Sequence, residues 1–236
     1  MTSLRSTNIP VSDPAAGLRI TEIFYSLQGE ADTAGLPTVF IRLTGCPLRC
    51  TYCDTTYSFE GGERQSLDHI IDTALAFKTP YICVTGGEPL AQPNCLPLLT
   101  RLADLGCAVS LETSGALDVS KVDVRVSKVL DLKTPTSGEE KRNLLTNLDY
   151  LTKHDQIKFV ICNREDYEWS RNQVLSLNLA EKVNTVWFSP AFAIEKNVAK
   201  LPDLARDIAQ WILEDRLPVR FQLQLHKLLW NDETGR

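Results

Sequence analysis

The sequence predicts an α/β fold, a partial and open β/α barrel. Three observations carry that expectation. Short β-rich runs alternate with helical repeats, which implies a parallel sheet with helical crossovers. Chemically distinctive residues recur just past the expected strands, where such barrels gather their reactive groups. Roughly six repeating strands plus extra terminal ones are present, too few for a complete barrel of eight units.

Residues 18–24 partly alternate apolar and polar and read as a strand leading into Gln28-Gly29-Glu30. Pro37 precedes a second β-rich run, 38–43, that ends at Gly45-Cys46. Ser66 is the expected N-cap of a helix in which Leu67, Ile70, Ile71, Ala74 and Leu75 recur at helical spacing up to Lys78. Residues 81–85 form a short buried strand broken by Gly86-Gly87. Asn94 caps the next helix, which turns Leu98, Leu99, Leu102 and Leu105 inward and ends at Gly106 before a strand at 108–112. A strand at 128–132 stops near Lys133, and residues 134–143, with Pro135 and Gly138, read as an exposed loop. A short helix near 147–151, a strand at 156–161, a helix across 165–177 and a strand at 185–189 continue the rhythm. The last helix, 202–215, opens with Pro202 in its first turn, where the missing N–H costs nothing, and a final strand, 220–225, delivers His226.

Composition narrows the class of function. The 236 residues are 43% apolar and 23% charged, as in ordinary globular proteins. One domain over 18–236 follows a flexible arm, 1–17, and no Pro, Gly or Ser-rich linker divides it. Arg5 is followed by no apolar segment of a secretory leader, and no apolar run reaches membrane-spanning length, so a cytoplasmic protein is expected. The formal net charge of -5, with no clustered basic face, argues against a nucleic-acid surface and for a small-molecule or protein substrate. Seven cysteines, an odd number crowded at one loop, do not form a secreted disulfide framework and suit a reducing compartment.

That loop carries the chemistry. Cys46, Cys50 and Cys53 form a C-x3-C-x2-C array directly after an apolar strand. Three thiolates leave a four-coordinate centre unfinished, so they suit either a zinc site completed from elsewhere or an iron-sulfur cluster with one iron open to a ligand. His69 is the nearest histidine in sequence and sits on an expected surface helix facing away, which favours the cluster. In Thr85-Gly86-Gly87-Glu88-Pro89 the glycines allow a close backbone approach to a ligand, although the same word also makes a tight turn. Gln28, Glu30 and Arg42 offer an amide, an acid and a guanidinium; the plainer alternative is a surface strand of salt-bridged charges. Cys83, Cys95, Cys107 and Cys162 read as buried small apolar residues, and His154 and the 139–142 charge run as solvated surface.

The cysteine spacing resembles the cluster loop of radical S-adenosylmethionine (SAM) enzymes. Ser26-Leu27-Gln28-Gly29-Glu30, Cys53-Asp54-Thr55, Thr85-Gly86-Gly87-Glu88-Pro89 and Gln224-Leu225-His226-Lys227 together resemble the 7-carboxy-7-deazaguanine synthase family, over most of the chain from Arg19 to Lys227. The resemblance implies a radical SAM barrel with a 4Fe-4S cluster on Cys46, Cys50 and Cys53 and SAM chelated at the open iron. It implies SAM contacts at Tyr52, Cys53, Asp54, Gly87, Asp131, Lys133, Ser189 and Pro190, Mg2+ on Thr55, and substrate contacts at Leu27, Gln28, Gly29, Glu30, Arg42, Thr85 and His226. No catalytic side chain is implied beyond the cluster and SAM. The implied reaction is that of a lyase of queuosine biosynthesis, converting 6-carboxy-5,6,7,8-tetrahydropterin to 7-carboxy-7-deazaguanine with loss of ammonia. The pterin edge, with its alternating donors and acceptors and its carboxylate, suits Gln28, Glu30 and Arg42. A flavodoxin or ferredoxin as electron donor and a homodimer are implied too. The alternatives are a radical SAM activase that makes a glycyl radical on a partner enzyme, and a zinc-binding module. Two departures stand out: Ala31 occupies a position where many relatives have Gly, and the chain runs on past Lys227 to Arg236.

Overall fold

In the computed structural model, which describes residues 17–191, 203–231 and 233–235, the sheet begins with an antiparallel pair. Strand β1 (Leu18–Leu27) runs against β2 (Pro37–Leu43), with Glu22 opposite Arg42 and Phe24 opposite Phe40. A short β3 (Glu63–Gln65), absent from the sequence-based expectation, pairs with the other edge of β1. From β2 onward the pairing is parallel through β4 (Tyr81–Gly86), β5 (Ala108–Thr113), β6 (Ser127–Asp131), β7 (Gln156–Ile161), β8 (Thr185–Pro190) and β9 (Arg220–Phe221). The order β3-β1-β2-β4-β5-β6-β7-β8-β9 has two unjoined ends, so the sheet is open, as expected.

Strand alternation divides this sheet into two chemistries. Val39, Ile41 and Leu43 of β2, Leu130 of β6, and Ile157, Phe159 and Ile161 of β7 point outward and are buried. They lie under α1 (Leu67–Leu75), α2 (Cys95–Asp104), α3 (Arg164–Ser176) and α5 (Asp203–Asp215), whose Ile70, Leu99, Val174 and Ile208 join the same core. Each such side chain contributes about 1.5–3 kcal/mol when fully buried, so the outer layer stabilises the fold. The intervening residues, Arg42, Thr85, Glu112, Asp131 and Lys158 among them, face inward and are polar.

Several local expectations change. Ser66 caps α1 by accepting from the His69 N–H, but Asn94 turns its amide to the Gly17 carbonyl and makes no cap. Leu75 and Leu105, at helix ends, are exposed, and Cys107 and Cys162 are only partly buried. The 134–143 segment is not an open loop: it folds into two 3-10 turns and buries Thr134 and Ser137 completely. The 147–151 helix is a 3-10 turn, Leu145–Tyr150, and a short α4 (Leu179–Lys182) follows α3. The last strand stops after two residues. The chain then enters α6 (Leu225–Trp230), which puts His226 in a helical turn and not past a strand end. Pro202 and the 1–16 arm lie outside the described residues.

Candidate active site

At the carboxyl ends of the parallel strands the 46–59 loop folds back over the barrel mouth. It owes its shape to fixed internal bonds: the Gly45 N–H donates to the Ser58 carbonyl (2.8 Å), and the Arg49 guanidinium donates to the carbonyls of Cys46 and Leu48 (2.7 Å each) while lying over the Phe59 ring. The 134–139 segment supports it from outside. Glu139 accepts from the Arg49 N–H (2.6 Å), and Thr51 donates through its hydroxyl to the Thr136 carbonyl (2.7 Å) and through its N–H to that of Ser137 (3.1 Å). Glu139, read from sequence as surface, therefore braces the cysteine loop.

Gly86-Gly87 lies directly beneath. A Cβ on Gly87 would meet the Gly45 carbonyl oxygen and Cys46, and one on Gly86 would meet Leu43, because the Gly87 N–H donates to the Leu43 carbonyl (3.1 Å) and the Glu88 N–H to the Gly45 carbonyl (2.8 Å), drawing this backbone against the end of β2 and the start of the loop. The close approach that selects glycine here is to the cysteine loop itself. The buried Glu88 then fastens β4 to β5, accepting from the Thr113 hydroxyl (2.9 Å), the Ser114 N–H (2.7 Å) and the Ser114 hydroxyl (2.5 Å).

Under the loop lies a pocket of about 240 Å3. Its wall includes Cys46, Cys50, Cys53, Tyr52, Asp54, Thr55, Gly87, Asp131 and Lys133, and also Leu27, Gln28, Glu30, Arg42, Thr85 and His226. One cavity thus brings together residues of the expected cluster, cofactor and substrate groups. Gly29, Ser189 and Pro190 are not in its wall. Gly29 backs His226, whose ring occupies the space a Cβ would need, and Ser189 and Pro190 end β8 while the neighbouring Ala191 reaches the pocket.

Charge organises the interior. Lys158 on β7, its side chain 12% exposed, pairs with Glu30 (2.7 Å), with Asp131 farther off (4.0 Å). Burial alone would raise the Glu30 carboxyl, but the Lys158 ammonium, with His226 and Gln224, holds it at about 2. Burial would lower Lys158, yet Glu30, Asp131 and Glu112 together raise it well above the usual lysine value. Arg42 gives its Nε–H to Glu22 (2.7 Å), which also accepts from the Tyr57 hydroxyl (2.8 Å). At the rim, Lys227 of α6 pairs with Asp54 (2.7 Å), and Asp54 accepts from the Thr55 hydroxyl (2.8 Å). Burial would raise the Asp54 carboxyl; Lys227 and Thr55 hold it at about 2.

The Glu30 shift has a measurable sign. A carboxylate moved from 4.5 to about 2 stabilises the fold fully above pH 4.5 and ceases to do so as pH falls toward 2. The expected result is a melting temperature that drops across that window in the native protein and drops less steeply in Glu30→Gln. Parallel curves for the two proteins would exclude Glu30 as the source.

The donor set fits a three-cysteine cluster and an organic cofactor. The three thiols are free and partly exposed around one cavity. Burial pushes the Cys50 thiol up to about 11, against the pull of the neighbouring Lys133 ammonium. Among the described residues, no three His, Cys, Asp or Glu side chains are drawn tightly enough around one point to hold a single ion; what the cysteines share is the pocket wall. Asp131 Oδ1, a buried polar atom, has no hydrogen-bond partner among the described residues, and its side chain borders the cavity, as suits a polar ligand.

Among the charged and amide side chains of the wall, four escaped the sequence reading: Glu112, Lys158, Gln224 and Lys227. Lys158 and Glu112 were legible in principle, as charges placed inside apolar strand runs. Gln224 and Lys227 flank His226 in a word that was noticed, but only the helical turn shows that all three face one cavity.

The Radical SAM superfamily profile matches residues 40–133. The chain is 44% identical over 225 residues to the 7-carboxy-7-deazaguanine synthase of Koribacter versatilis, covering 92% of this chain and 99% of the relative. To the synthase of the same name in Chlorobaculum tepidum it is 41% identical over 222 residues, 93% of this chain and 97% of the other. Among solved structures, QueE from Escherichia coli matches with a TM-score of 0.70 at 24% identity over 89% of this chain and 94% of that one. SuiB of Streptococcus suis, solved bound to S-adenosylmethionine, matches with a TM-score of 0.54 at 16% identity over 78% of this chain and 47% of that one. These two likenesses bear on the fold.

Proposed function

The chain belongs to the 7-carboxy-7-deazaguanine synthase family of the radical SAM superfamily, and from that membership we propose the work of its pocket: conversion of 6-carboxy-5,6,7,8-tetrahydropterin to 7-carboxy-7-deazaguanine with release of ammonia, in queuosine biosynthesis. The observation that carries the reading is the single pocket in which the three-thiol loop faces a wall of Gln28, Glu30, Arg42 and His226. The relatives favour this synthase over a glycyl-radical activase.

The 4Fe-4S cluster, held by Cys46, Cys50 and Cys53, and SAM supply hydrogen-abstracting radical chemistry when bound. Asp131, with its unpaired Oδ1, and Tyr52 and Gly87 border the space for SAM. Glu30, kept ionised by Lys158, accepts from the pterin's N–H groups with the lone pairs it does not spend on Lys158 and Gln224. Arg42 commits Nε to Glu22, and a guanidinium has further donors for a carboxylate. Thr55 offers a hard oxygen to Mg2+, beside the substrate space. A flavodoxin or ferredoxin supplies the electron, and the protein works as a cytoplasmic homodimer.

The test is anaerobic reconstitution with iron, sulfide, SAM, Mg2+ and reductant, followed by mass spectrometry of the pterin reaction. The deazaguanine product is expected. Its absence from protein carrying an intact cluster would sink the reading. Omitting Mg2+ should slow the native protein and leave Thr55→Ala unaffected; an equal response in both would remove Thr55 from the metal site.

A further inference from the structure

We propose that Asp32 is a positioning residue for the substrate: it latches the 28–36 loop across the amino-terminal mouth of the barrel and thereby sets where Gln28 and Glu30 stand. This rests on the pterin reading of the pocket. The loop leaves β1 and enters β2, near one end of the sheet, at the side where the parallel strands begin. Its anchors lie at the other end. The Asp32 carboxylate accepts from the Asn184 amide (2.5 Å), the Thr185 hydroxyl (3.1 Å) and the Arg220 guanidinium (3.1 Å), which stand at or just before the first residues of β8 and β9. The Asp32 N–H donates to Gln156 (3.0 Å), the first residue of β7, and the Ala31 N–H to Gln222 (2.9 Å), just after β9.

One acid therefore ties the first strands of an open sheet to its last three. Ala31 is held with φ of 62°, a left-handed conformation that is uncommon for a residue other than glycine. Two residues before the latch, Glu30 meets Lys158 and Gln224, and Gln28 accepts from the Glu30 N–H (3.2 Å). Asp32 itself is not in the pocket wall, so it acts through these neighbours. Arg220 is largely exposed, which makes the ion pair alone weak. The strength of the latch lies in three donors converging on one carboxylate.

The experiment compares reconstituted native protein with Asp32→Ala and Asp32→Asn. The expected result for Asp32→Ala is a loss in kcat/KM on the order of 10- to 100-fold, carried mainly by KM for the pterin, with iron content and SAM affinity unchanged. Asp32→Asn keeps the shape but sets an amide against the Asn184 amide, and falls between. Tyr167→Phe is the stability control: it loses only the bond to Asp215 (2.8 Å) on the outer layer, and should lower the melting temperature without moving KM. Hydrogen exchange supplies a readout independent of turnover. Amides of 28–36 should exchange faster in Asp32→Ala while those of the cysteine loop do not. If native protein fails to turn over the pterin, the functional reading falls, and exchange alone decides the latch. Unchanged exchange in 28–36, or a KM within about twofold of native at a lowered melting temperature, would reduce Asp32 to a stabilising residue and overturn the proposal.

Discussion

A Cys50→Ala variant is expected to lose turnover by at least ~10⁶-fold, because removing one of three thiolates removes the cluster and with it the whole chemical step. The fold should survive. Cys50 is only partly buried and sits in a loop held by Arg49, Thr51 and Glu139 through bonds that do not involve its sulfur. Iron and sulfide per chain should fall with activity, while the melting temperature of the apo forms stays within about 2 °C of native. Cys83→Ala is the converse control: a fully buried thiol on β4 whose loss costs stability and leaves the cluster in place. Full iron content and product formation by Cys50→Ala would show that the three-cysteine assignment is wrong.

Lys158→Met should be the most destabilising single change in the pocket. It leaves Glu30 and Asp131 inside the barrel without the ammonium that compensates them, and stripping one member from a buried pair typically costs about 3–5 kcal/mol. For a chain of this size that is a fall of roughly 6–20 °C in melting temperature. The variant should also take up a proton at Glu30, visible as a carboxyl pKa far above its native value of about 2. Adding Glu30→Gln should recover a large part of the loss, since the orphaned charge is then gone. A single variant as stable as the native protein would mean that water reaches Lys158 and that the pair does not organise the pocket.

Much of the architecture was open to reading along the chain, and the reason is periodicity. Ile70, Ile71 and Ala74, or Leu98, Leu99 and Leu102, repeat at helical spacing because one face of each helix must cover the sheet, and all are buried. The parallel strands were readable as apolar runs punctuated by Gly86-Gly87 and Lys133. Errors fell where local pattern and tertiary contact disagree. Residues 134–143 carry Pro and Gly and looked like open loop, yet Thr134 and Ser137 are buried because the segment braces the cysteine loop. Residues 222–225 had strand-like composition, but after the Gln222 N–H donates to the Phe188 carbonyl of β8 (3.1 Å) the ladder ends, the Leu225 N–H turns to the Gly29 carbonyl (3.0 Å), and the chain enters α6.

By itself, the sequence determined the alternating α/β build, the three-cysteine centre and the short words that mark a SAM-dependent pterin enzyme, since each depends on residue type and local spacing. Only the tertiary structure decided which side chains share the cavity. Lys158 beside Glu30, Lys227 beside Asp54 and Asp32 across the barrel mouth are separated by 128, 173 and 188 positions from Glu30, Asp54 and Arg220 respectively. No local pattern carries such pairings. They arise because an open sheet curls until its first and last strands face each other, and charges turned inward must then find partners across the gap.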